Sequence, residues 1–141
     1  MTEMEKAHPH AADILAHMEA VIGTPFQLQG RLVGVGLDCV GVVCEAARAA
    51  RISLDVPADY SVTGPQGRDL ESPLALFGFR RRTGMALPAD VVVMQGPGGR
   101  QHLGVWTGLA IVHAHMGLRQ VISAPLHPDW PVLSSWCLPQ G

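Results

Sequence analysis

Apolar residues recur at helical spacing in the first fifty positions and at strand spacing in the last fifty. In "AADILAHMEAVIG", Ile14, Leu15, Met18, Val21 and Ile22 fall on one helical face, and Gly23 supplies a C-terminal stop. From Cys39 to about Ala50 the apolar positions Val40, Val43, Ala47 and Ala50 repeat that spacing, and Asp38 suits the N-cap. Leu70, Leu74 and Phe77 predict a short third helix, provided Pro73 lies in its first turn. After Pro88 the pattern changes to short strands: "DVVVMQ", "HLGVWT", "AIVHAH", "RQVISA" and a weaker "VLSSWCL". "TPFQLQGRLVGVG" and "SLDVPADYSVTGPQG", rich in Gly, Pro and Asp, read as loops. Helices first and a meander of strands afterwards predict an α+β fold, with N-terminal helices packed on a C-terminal antiparallel sheet.

The length of 141 residues fits one domain over 1–141, with 1–10 as a flexible tail. With 48% hydrophobic and 16% charged residues the chain can bury a core, which excludes disorder. A net charge of −2 with interspersed signs gives no footprint for nucleic acid and no face for a membrane. Arg80, Arg81 and Arg82 form the only basic cluster and read as a solvated loop. The N-terminus carries acids where a signal peptide needs bases, and no apolar run has membrane-spanning length. Synthesis in a reducing cytoplasm is therefore expected, with the three cysteines as free thiols.

"GVGLDCVGVVCEA" places Cys39 at the mouth of the second helix. A thiol there meets the positive end of the helix dipole and unpaired N–H groups, which lower its pKa and favour the nucleophilic thiolate. Cys39 is thus expected to be the one activated thiol, ahead of Cys44 and Cys137, with Gly34, Gly36 and Gly41 leaving room for substrate. A nucleophile needs a base. His8, His10, His17 and His127 read as exposed and incidental. If the strand of His102 turns back through Thr107-Gly108, Trp106 faces Leu109 and His102 lies directly opposite His113. One imidazole then serves as general base and the other holds its tautomer. A metal site of His113, His115 and a cysteine is the alternative, but no further ligand pair has suitable spacing, so no metal or cofactor is expected.

The stretch "GTPFQLQG…LDCVGVV", followed by "PADVVVMQ…QHLGVWTGLAIVHAH", resembles the NlpC-type cell-wall cysteine peptidases over Gly23 to about His115. The resemblance implies a compact papain-like fold with Cys39 as nucleophile, His102 as base and His113 as the orienting residue. It also implies peptidase action on a peptidoglycan stem peptide. The segment "RQVISAPLHPDW" resembles the branch found in phage tails and gene transfer agents, which implies phage tail proteins as partners and a place in the virion. A catalytically silent tail-assembly module with the same fold is the other reading. Three positions depart from the family pattern: Phe26 stands for Tyr, Val40 for Ser, and Ala89 for Gly before Asp90. Members that require a free amino terminus hold that ammonium with the motif's Asp and the Ser and Tyr hydroxyls. Here Asp38 alone is left for that task, beside Phe26 and Val40, so a stem acylated at its amino terminus is the expected substrate.

Overall fold

The computed structural model describes residues 6–54, 56 and 69–140. Helix α1 spans Ala11–Val21 and stops where Ile22 leaves helical geometry and Gly23 takes a φ of +92°. It buries Ile14, Met18 and Val21. Helix α2, Cys39–Ala49, buries residues on nearly every side, as the central helix of a small domain must. Asp38 caps it by accepting from Gly41 N–H at 2.8 Å. The third helix, α3, is Glu71–Leu76, with Pro73 in the first turn where its missing N–H costs nothing. Most of the loop read over 53–67 lies outside the described residues.

Two short strands, β1 (Arg31–Leu32) and β2 (Gly36–Leu37), pair within the segment read as loop. The main antiparallel sheet contains β3 (Arg80–Arg81), β4 (Val91–Gln95), β5 (Gln101–Trp106), β6 (Ile111–His115), β7 (Gln120–Ala124) and β8 (Val132–Cys137). Its order is β3-β8-β4-β5-β6-β7. One face, carrying Val91, Val93, Leu103, Val105, Val112 and Ala114, packs under the helices and forms the main core. The other face carries a smaller cluster of Val92, Met94 and Ile111, flanked by Trp106 and Trp130.

Three local readings need correction. Arg80 and Arg81 are not loop but pair with Cys137 and Trp136 of β8. Arg82 is buried and makes two hydrogen bonds from its guanidinium to the Asp90 carboxylate. His8, assigned to a flexible tail, is buried and its Nε2 bonds the Pro139 carbonyl at 2.9 Å. His17 likewise is held by Glu45, at 2.9 Å. Ala89 has a φ of +76°, in the left-handed region that favours glycine, which gives a physical reason for glycine at that place in the family pattern.

Candidate functional site

Cys39, the first residue of α2, lines a cleft of about 260 Å³. Phe26, Arg100, His102, His115 and Trp130 line it too. Phe26 is held there from both sides: its N–H donates to Arg119 O at 2.9 Å and its backbone bridges Leu37. As the first helical residue, Cys39 keeps a backbone N–H with no carbonyl one turn back to pair with. Its sulfur meets the N–H groups of Leu103 and Val40, so β5 and the helix start both touch it.

Those donors do not win. Burial, and next the Asp38 carboxylate, push the Cys39 thiol up to about 12, against the smaller lowering by Leu103, Arg31 and Val40. The reading that the helix start lowers this pKa is reversed by desolvation. Burial also raises Cys44 and Cys137, so none of the three is a resting thiolate. Alkylation of Cys39 by iodoacetamide is therefore expected to rise about tenfold per pH unit from pH 7 to 9, as the thiolate fraction does below the pKa. A rate that stays level from pH 6 to 8 would reveal a preformed thiolate–imidazolium pair instead.

His102 Nε2 lies 2.9 Å from His113 Nδ1, with the rings perpendicular. The pairing is not the one expected. Val105 opposes Val112 and Trp106 opposes Ile111, so the β5–β6 register is shifted by two from the proposed one. The loop runs from Thr107 to Ala110, closed by Thr107 N–H to Ala110 O at 2.9 Å and Ala110 N–H to Thr107 Oγ1 at 3.0 Å. A shift of two preserves the face, so both histidines still share one. Continuing the register sets His113 opposite Gly104. A Cβ at Gly104 would collide with Ile111 and come within 3.3 Å of His113 Cβ; its absence leaves space for the His113 ring to lean across to His102. Burial, then the neighbouring His113 and His115, hold His102 down to about 3, and burial with His115 holds His113 down to about 4. Both imidazoles are neutral at pH 7. The cleft thus sets a neutral thiol beside a neutral, hydrogen-bonded histidine pair.

The remaining sequence-derived residues fall elsewhere. Val40 points away from the cleft into a small apolar cavity with Val43, Leu74 and Leu103. Asp38 is fully buried: Oδ1 accepts from Arg31 Nη1 and Gly41 N–H, both at 2.8 Å, and Oδ2 from Gln29 N–H at 2.9 Å. It is not left open to a substrate ammonium, because Arg31 already neutralises it. The glycines serve the chain rather than a ligand, since a Cβ at Gly41 would strike the Gly30 carbonyl. Among the described residues, no three His, Cys, Asp or Glu side chains converge to hold a metal ion. No helix among them is long and apolar enough to cross a membrane. Arg31, and Trp130 in the Pro-rich loop after β7, were missed in the sequence. A bulky aromatic in "LHPDWPV" was the available signal for Trp130.

No family model and no curated protein matches the chain by sequence. Its fold, however, is of the NlpC/p60, papain-like type. NlpC2 and NlpC1 from Trichomonas vaginalis superpose with TM-scores of 0.67 and 0.66, each at 17% identity. They cover 95% and 94% of this chain, which spans 49% and 45% of theirs, about half their length. The NlpC/p60 domain of the peptidoglycan hydrolase SagA superposes with a TM-score of 0.56 at 21% identity, over 86% of this chain and 97% of that domain.

Proposed function

We propose that the protein is a cysteine amidase that cuts a peptide-stem bond of bacterial peptidoglycan. The observation that carries this reading is the cleft shared by Cys39 and His102, with His113 bonded behind His102, on a fold of this type. In the tautomer that leaves a lone pair on His102 Nδ1, Nε2–H donates to His113 Nδ1. The Cys39 proton passes to His102 as sulfur attacks the scissile carbonyl. The Cys39 N–H stabilises the oxyanion, and the His102 imidazolium then protonates the leaving amine. Water, activated by His102, cleaves the thioester and restores the thiol. Delivery in a virion tail belongs to the same proposal, supported by the "RQVISAPLHPDW" resemblance. Release of dye from labelled sacculi by the wild type, absent with Cys39→Ala, tests the activity.

Substrate shape follows from Asp38. An ammonium near Cys39 would find Arg31 already on that carboxylate, and Phe26 and Val40 offer no acceptor. Each missing bond to a charged group costs about 1.5–3 kcal/mol. A stem acylated at its amino terminus should therefore exceed the free-amine stem in kcat/KM by at least roughly tenfold. Preference for the free amine would contradict this. A catalytically silent module is the second reading, favoured by the burial and raised pKa of Cys39. It predicts no turnover on either stem.

A further inference from the structure

The crossover from β7 at the sheet edge to β8 passes over residues 125–131 and brings Trp130 onto the histidine face. The loop is pinned there. Trp130 N–H donates to His127 O at 3.1 Å, Asp129 N–H to His127 Nδ1 at 3.0 Å, and Gln95 N–H to Pro131 O at 2.9 Å. The indole stands edge-on to His102 at 5.3 Å and to His113 at 6.0 Å, each at 71°. It lies near-parallel to His115 at 6.2 Å and to His127 at 5.0 Å. Trp130 also lines two spaces at once: the cleft of Cys39, and a cavity of about 90 Å³ behind His113.

We propose that Trp130 is a positioning residue: it walls the cleft from the cavity behind His113 and keeps the His102–His113 hydrogen bond dry and in place. Without the indole the two spaces merge, and water enters from the cleft and competes for both ring nitrogens. The same indole limits the swing of His102, because a ring at 5.3 Å leaves little room for rotation toward the loop. The proposal rests on the reading of His102 as base, but its test needs no wall substrate.

The ionisable groups around the pair are His115 from β6, His127 from the loop, and Cys39 and Arg100 across the cleft. None of them is altered by changing Trp130. Imidazole NMR titration of His102 in the free protein is the measurement, with Trp130→Ala and Trp130→Phe compared with wild type. Water admitted to the pair removes the desolvation that holds His102 low. In Trp130→Ala its midpoint should rise by at least one pH unit, and in Trp130→Phe, which keeps a ring, it should stay near the wild-type value. Trp130→Leu, expected to rise as the alanine variant does, gives the reading if the alanine variant does not fold. Where a substrate is turned over, the acid limb of kcat/KM should rise in parallel. An unchanged His102 midpoint in a folded Ala or Leu variant, or an equal rise in the Phe variant, would overturn the proposal. A shifted midpoint in a protein that leaves peptidoglycan intact would sink the proposed function and leave this role standing.

Discussion

Cys39→Ala is expected to reduce turnover of wall peptide by on the order of 10⁴–10⁶-fold, because no other thiol reaches the cleft. Cys44 lies in the neighbouring apolar cavity, and Cys137 lies in β8. His102→Ala should approach the same loss, since a thiol pushed up to about 12 cannot attack until a base takes its proton. His113→Ala should cost about 10²–10⁴-fold by freeing the tautomer of His102. His115→Ala should cost roughly tenfold or less, as its Nδ1 is engaged by Leu118 N–H at 3.0 Å rather than by His102. A larger loss at His115 than at His113 would mean that the 2.9 Å pair is not the working one. Steady-state rates on a single stem substrate, with melting curves for each variant, decide the ranking.

The largest stability effect should come from Asp90. Its carboxylate accepts two bonds from the buried Arg82 guanidinium and one from Leu87 N–H at 2.8 Å. Removing one partner of such a pair leaves a buried charge uncompensated, which costs about 3–5 kcal/mol. For a chain of 141 residues that corresponds to a fall in Tm of roughly 10–20 °C. Asp90→Ala should therefore unfold far below the wild type in calorimetry. A fall of only two or three degrees would show that Arg82 finds water or another acceptor. The effect also reaches the site, because Asp90 sets the start of β4 and Met94 of β4 pairs with His102.

Much of the fold is visible in the sequence because periodicity follows burial. The α2 pattern from Cys39 and the runs at 91–95, 111–115 and 120–124 become elements within a residue or so. Register was less visible. Thr107-Gly108 is a reasonable tight-turn signal, yet the Thr107 hydroxyl takes the Ala110 N–H and lengthens the loop, and nothing in the dipeptide says so. Because the shift is even, the histidine pair survives the error. The raised pKa of Cys39 is hidden from the sequence for a different reason. A helix start is a local feature that can be seen in sequence, whereas desolvation depends on what the rest of the chain packs over it. His8 and Arg82 illustrate the same point: both are polar residues with long-range partners, Pro139 and Asp90, that spacing alone does not reveal.

The most direct measurement is mass spectrometry of muropeptides from purified sacculi incubated with wild type and with Cys39→Ala. The wild type should yield stem fragments with one new amino terminus at a single peptide bond, and the alanine variant should yield none. Identical muropeptide profiles from wild-type, Cys39→Ala and untreated sacculi would contradict a peptidoglycan amidase and leave the fold without that activity.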